Sequence, residues 1–368
     1  LQIRIFGFFA HGTGYGEMAR QLARAISSSG HDVCCKILQA AKMPNISLDP
    51  DMAQYLNTHQ IEREPHISIY AHIPIRFDDV FRVDNGPEKI IGLTMSEGMG
   101  RLSQGYVDGC NSVDEVWIPT EYNRKIFHDS GVTVPLKIVP LGINIREWKP
   151  APFHAIKNPS EEYVFLSNFS WPARYRKGAD KLLSAYFGTF NSFDNVRLII
   201  KTAGPQEEIE RFLNMARPRK APRITIANGF CGPEQIREVY QAADCFVLPT
   251  RSEAWGLPAL EAMSCGLPVI ITGEGSQLEF CNIANSILLK IKGYEKPPEY
   301  ENLIYADLKW AEPDEKHLAS LMKWAYNHRG AAYCVGQQGL KTARKFTWQH
   351  SADIAIQHLQ ESEVLCVS

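Results

Sequence analysis

No two cysteines of this 368-residue chain stand at C-x-x-C spacing; the nine are scattered, with Cys34 and Cys35 adjacent. That absence excludes the paired-thiol ligand sets of structural zinc and thioredoxin-like redox motifs. An odd count, with Cys245 and Cys265 in apolar runs, fits buried reduced thiols rather than a disulfide framework. No Asp-x-Asp element falls at a plausible strand end, so no metal site is expected. Positive charge is not in excess: 39 Lys and Arg stand against 41 Asp and Glu, a formal net charge of −2. Nucleic acid is therefore an unlikely partner. No apolar run approaches the ~20 residues that span a bilayer. The opening residues, Gln2 to Phe9, read as a strand and not as a charged and apolar leader. A cytoplasmic protein is expected, at most peripheral at the inner face of a membrane.

What is present is ordinary soluble composition, 45% hydrophobic and 22% charged, in a chain long enough for two domains of roughly 150–200 residues. Short apolar runs alternate with amphipathic stretches in both halves, which predicts α/β domains with parallel sheets covered on both faces. The first half reads as strands at Gln2–Phe9, His31–Leu38, His66–Tyr70, Lys89–Thr94, Asp114–Pro119 and Lys137–Pro140. Leu141 to Ser160 loses periodicity and carries Pro150, Pro152 and Pro159, the signature of a linker. Strands are then expected at Tyr163–Asn168, Val196–Lys201, Arg223–Ala227, Cys245–Leu248, Leu267–Thr272 and Ser286–Ile291. The expected division is 1–145, 146–345 and a final helix within 346–368.

The most informative stretch runs from Pro249 to Ile270. It is a loop and a short helix between two buried strands, with Pro258 marking the helix start and Gly266 its exit. Amides near Gly256 and Leu257 would lie at a helix N-terminus, where unpaired donors and the dipole favour an anion such as a diphosphate. Glu253 in the loop and Glu261, expected in the first turn, could accept hydrogen bonds from hydroxyls of whatever carries the phosphate. Singly each feature has a plainer reading as turn, dipole partner or solvated residue. Together they suit a sugar nucleotide.

This segment resembles the Glu-x7-Glu signature of glycosyltransferase family 4, including the aromatic Trp255 and Gly256 after the first Glu. The resemblance implies the GT-B fold, two Rossmann-like domains facing across a cleft, and a retaining, metal-independent sugar transfer. It implies that Glu253 contacts the donor sugar and Glu261 the nucleotide ribose, with Trp255, Gly256 and Leu257 at the same place. It also implies diphosphate binding by the cations of Arg174-Tyr175-Arg176-Lys177-Gly178. Lys177 and Arg176 match the family position, and Arg174 comes from a longer loop. Read from its residues alone, that loop is open between a diphosphate clamp and an exposed basic turn. The expected donor is a UDP- or GDP-sugar, with no separate cofactor, and the expected acceptor is a glycan or lipid-linked hydroxyl compound.

Gly12-Thr13-Gly14-Tyr15-Gly16 follows a strand and precedes a helix. It is either a structural turn or a loop whose Gly14 meets the donor diphosphate, as in similar family members. Phe230, in Gly229-Phe230-Cys231-Gly232, is open between a base-stacking and a core role. Where many members carry a histidine after the strand Ile91–Thr94, this chain has Met95 and Ser96. That leaves Glu97 and His72 as candidates for the catalytic assistant, each also readable as a hydrogen-bonded structural residue. The acceptor is expected at loops between Ala40 and Arg63 and around His72–Asp84. Two other classes fit the same donor side: a sugar-nucleotide hydrolase or epimerase, and a non-catalytic nucleotide-sugar-binding protein. Glu253→Ala is expected to remove activity with little effect on folding. The sugar, the base and the oligomeric state leave no mark in the residues.

Overall fold

The alternation of strands and helices builds two six-stranded sheets in the computed structural model, which describes residues 1–38, 48, 50–59, 66–77, 81, 87, 89–151, 158, 160–298 and 307–367. About half of the expected acceptor loops, 40–63 and 72–84, therefore lies outside the described residues. The chain divides into two units. One comprises Leu1–Gly142, Pro298–Leu308 and Phe346–Ser368, the other Ile143–Pro297 and Lys309–Lys345.

In the first unit, β1 (Gln2–Gly7), β2 (Asp32–Ile37), β3 (Ile67–Ala71), β4 (Lys89–Leu93), a short β5 (Met99–Arg101), β6 (Glu115–Ile118) and β7 (Leu136–Ile138) follow in sequence. Six of them form a sheet of order β2-β1-β3-β4-β6-β7, parallel at every pairing. Helix Gly14–Ser28 starts where the Thr13 hydroxyl accepts from the Gly16 amide at 3.1 Å, a side-chain cap on an otherwise unpaired donor. Its apolar stripe, Met18, Leu22, Ala25 and Ile26 at helical spacing, is buried. Thr120 caps helix Glu121–Ser130 in the same way, and Gly131 closes it at φ 104°, a left-handed exit that glycine adopts without strain.

The second unit repeats the architecture with β8 (Tyr163–Asn168), β9 (Val196–Thr202), β10 (Arg223–Asn228), β11 (Cys245–Leu248), β12 (Val269–Thr272) and β13 (Ile287–Leu289). Their order is β10-β9-β8-β11-β12-β13, again all parallel. β11 is buried at every residue, as a strand covered on both faces must be. The sheet thus seats β8 beside β11, and so brings together the loops that leave their carboxyl ends.

Several elements differ from the sequence reading. The run expected as one strand over Ser286–Ile291 breaks at Lys290 into β13 and β14 (Ile291–Glu295), and β14 pairs antiparallel with β15 (Asp307–Pro313). Helices Gln104–Asn111 and Arg329–Ala343 form although glycines, poor helix formers, punctuate both. They form because packing overrides propensity. A Cβ at Gly109 would stand 2.2 Å from the Pro74 carbonyl oxygen, and one at Gly336 2.4 Å from that of Gly266. In each helix the glycine permits the contact.

The last helix, Trp348–Val367, lies in the first unit. Gln349 Nε2 donates to Ser29 Oγ at 2.8 Å, and His358 Nε2 bonds the Ile138 carbonyl at 3.1 Å. At its root Gly142 lies against the backbone of Thr347 and Trp348, where a Cβ would come within 2.2 Å of the Trp348 nitrogen. Gly142→Ala should therefore cost about 1–3 kcal/mol, read as hydrogen exchange in Trp348–Val367 about 5- to 150-fold faster than in wild type. Unchanged protection would show that the junction relaxes freely.

Candidate functional site

Loop 169–178, after β8, and loop 249–256, after β11, carry the predicted cations and carboxylates of the second unit. They are laced by backbone contacts. Gly178, at φ 71°, has no room for a side chain: a Cβ would come within 1.9 Å of the Pro249 carbonyl oxygen. The Arg251 amide donates to the Arg176 carbonyl at 2.6 Å, and Arg176 Nη1 donates to the Ser252 carbonyl at 3.1 Å. This lacing sets Lys177 Nζ 2.6 and 2.7 Å from the two carboxylate oxygens of Glu253. Glu253 is 4% exposed, and the Lys177 side chain 12%.

The pair changes the expectation for Glu253→Ala. Truncation would strand a mostly buried ammonium, at a cost on the order of 3 kcal/mol. That substitution would therefore disturb folding as well as function.

Gly256, at φ 103°, is the N-cap of helix Leu257–Ser264. The helix's first amide bonds run from Ala259 and Leu260 to the Gly256 carbonyl, so the Gly256 and Leu257 amides precede them and Pro258 has none to offer. A Cβ on Gly256 would lie 3.8 Å from Glu253 Cγ, which places that carboxylate next to the helix start. Glu261 is the fifth residue of the helix rather than a first-turn residue. It accepts from the Tyr240 hydroxyl at 2.7 Å, and that hydroxyl in turn accepts from Asn168 Nδ2 at 2.9 Å. Burial, and then the Glu261 charge, holds the Tyr240 hydroxyl well above the ordinary tyrosine range, so it remains a donor to Glu261.

The two aromatics of these loops lie differently. Trp255 is 2% exposed, its ring 5.2 Å from that of Phe280, so it packs the loop rather than presenting a face to a ligand. Phe230, also readable as core, is 56% exposed beside Gly229 at φ 108°. Arg174 is half-buried, its guanidinium 5.0 Å over the Trp171 ring and Nη1 3.3 Å from the Trp171 carbonyl.

Gly14, His72 and Glu97 belong to the first unit. Gly14 is the first residue of its helix and has open space where a Cβ would be. The His72 ring lies 4.6 Å from that of Phe8, and its Nδ1 accepts from the Ile73 amide at 2.6 Å. Next to Gly14, the Tyr15 hydroxyl bonds Thr94 Oγ1 at 3.1 Å. Burial pushes it up to about 12, and the Glu97 charge adds to the rise.

Two buried cations of the second unit escaped the sequence reading. Arg251 is 3% exposed and ion-paired to Asp180, Glu295 and Glu312 at 2.8, 2.7 and 3.0 Å. Burial alone would weaken its charge, but the Asp180 bond and charge more than offset that and raise its pKa. Lys201, at the end of β9, is 5% exposed and donates to the carbonyls of Thr202 and Gly229.

Residues 153–327 match the family model described as glycosyl transferases group 1. A D-inositol 3-phosphate glycosyltransferase of Segniliparus rotundus is 26% identical over 229 residues, 59% of this chain and 45% of that protein. The segment 153–327 is thus similar to group 1 glycosyl transferases. An alpha-monoglucosyldiacylglycerol synthase of Streptococcus pneumoniae is 26% identical over 175 residues, 45% of this chain and 38% of that protein. The chain thus spans less than half the length of these two curated relatives. In fold it is similar to sucrose-phosphate synthase from Thermosynechococcus elongatus, with TM-score 0.71 over 100% of both chains at 16% identity. It is also similar to Anabaena HepE solved with UDP and glucose, with TM-score 0.70 over 98% of this chain and 100% of that one at 13% identity. The fold is of the GT-B type.

Tyr240→Phe should remove the donor to Glu261 and the acceptor of Asn168 together. The expected loss is about 1–3 kcal/mol, measured as a lower urea midpoint of the second unit. An unaltered midpoint would mean that this relay holds nothing.

Proposed function

We propose that the chain transfers a sugar from a nucleoside-diphosphate sugar to an acceptor hydroxyl, with retention of configuration and without a metal ion. The observation that carries this reading is the Lys177–Glu253 pair beside the amino end of helix Leu257–Ser264. An ammonium has three N–H donors. Lys177 bonds both oxygens of Glu253, so a diphosphate docked at the helix start would meet a cation there, while Glu253 keeps lone pairs for sugar hydroxyls. The neighbouring amides and helix dipole add stabilisation where negative charge grows on the departing diphosphate. Arg176 and Arg174 would contribute to the same charge, Glu261 would hold the ribose, and Phe230 is exposed enough to stack on the base.

In the step itself, the acceptor oxygen bonds to the anomeric carbon as the bond from that carbon to the diphosphate oxygen breaks. The hydroxyl proton passes to the leaving phosphate on the same face. The assistant would be Glu97 or His72, with Gly14 near the diphosphate. The donor is a UDP- or GDP-sugar. The acceptor class is a glycan or a lipid-linked hydroxyl compound, reached by a protein at most peripheral to a membrane. Among the described residues, no helix is long and apolar enough to cross one.

A thermal-shift panel of UDP-, GDP- and ADP-sugars tests the donor site, since a ligand at a hundred times its Kd adds about 2.7 kcal/mol. One nucleotide series should raise the transition. A flat response across all three would overturn the reading. Glu253→Gln, which retains an acceptor oxygen for Lys177, should bind that nucleotide within about threefold of wild type. Its transfer should be about a hundredfold slower or worse.

A further inference from the structure

Arg251 lies inside the motif, yet the ligand reading gives it no task. Its guanidinium forks onto Asp180, with Nη1 to Oδ1 at 2.8 Å and Nη2 to Oδ2 at 2.9 Å. Nε donates to Glu295 at 2.7 Å and Glu312 at 3.0 Å, and the Tyr175 ring lies 4.0 Å from the guanidinium carbon. Those ties alone would be a buried ion cluster, which as a rule adds little net stability.

Three further bonds act instead on the backbone that leads into Lys177. Nη1 donates to the Tyr175 carbonyl at 2.7 Å. The Arg251 amide donates to the Arg176 carbonyl at 2.6 Å, and the Thr250 hydroxyl donates to the same carbonyl at 3.2 Å. From the other side, the Ala311 amide of β15 donates to the Arg251 carbonyl at 3.0 Å. Arg251 therefore grips the two residues before Lys177 while standing two residues before Glu253.

We propose that Arg251 is the positioning residue of the donor site. By holding the Tyr175–Arg176 backbone against β15, it sets the spacing of the Lys177 ammonium from the Glu253 carboxylate. It touches no substrate, and its role rests on the donor-site reading above. Lysine cannot substitute, because a point charge on a flexible stem cannot serve Asp180, Glu295 and a carbonyl at once as a planar fork does. Misplacement of a charged group by about 1 Å can cost on the order of a hundredfold in rate.

Two measurements on the full chain decide it. The first needs no activity: acetylation of individual lysines by an N-hydroxysuccinimide ester, followed by mass spectrometry. Arg251→Lys should speed acetylation of Lys177 at least about tenfold and leave that of Lys201 unchanged. An unchanged Lys177 rate, or equal acceleration at Lys201, would overturn the proposal in favour of a general packing role. If Arg251→Lys does not fold, Asp180→Asn is the second variant, with a rise of about threefold or more at Lys177 alone.

The second measurement uses whichever nucleotide sugar the panel selects. Arg251→Lys should lower kcat about 10- to 100-fold with the donor KM within about threefold. In a Lys177→Ala background the same substitution should lower kcat less than about threefold, because the group it acts through is gone. Losses that multiply in both backgrounds would overturn the proposal. A wild type that binds no nucleotide sugar would sink the donor reading, while the acetylation comparison would still decide whether Arg251 clamps Lys177.

Discussion

Two strands, β8 and β11, lie side by side in a parallel sheet, and the chemistry of the second unit depends on that adjacency. Lys177 and Glu253 are 76 residues apart in sequence. Only the shared sheet edge brings their loops into register. Once there, the two charges lose most of their water, and each becomes costly without the other. The pair is therefore a geometric constraint as much as an attraction: loop length, the left-handed Gly178 and the Pro249 carbonyl must all agree for it to close.

Around that pair the residues sort by what they hold. Tyr240 joins Asn168 of β8 to Glu261 of the short helix, so the second carboxylate is tied to the same strand that feeds Lys177. Gly256 turns the loop into the helix and admits Glu253 beside its first amides. The same economy recurs in the first unit, where the Tyr15 hydroxyl ties the start of a helix to Thr94 after β4. In both units a tyrosine buried enough to stay protonated links a strand end to another element.

The sequence carried the local grammar well and the long-range consequences poorly. The cap at Thr120, the apolar stripe of Gly14–Ser28 and the buried run Cys245–Leu248 are each set by a few neighbouring residues. Arg251 was in plain view inside the motif. Its acidic partners lie 44, 61 and 71 residues away, and no local rule tells a buried loop arginine from a solvated one. The aromatics are hard to read for a related reason. Periodicity cannot say which ring of a loop turns inward, and here Trp255 packs while Phe230 is out. Glycine-bearing helices such as Arg329–Ala343 leave little local signal because their gain comes from contacts made elsewhere in the chain.

The order of the second sheet has a consequence for the newborn chain. One of its two central strands, β8, leaves the ribosome long before β11, and two of the three acids that grip Arg251 come later still, Glu295 on β14 and Glu312 on β15. A nascent polypeptide that has just exposed Pro249–Ile270 already displays the whole motif, yet has no acid from β15 to hold it. The binding surface is thus a product of nearly complete synthesis, and truncated translation products would carry the signature without the site.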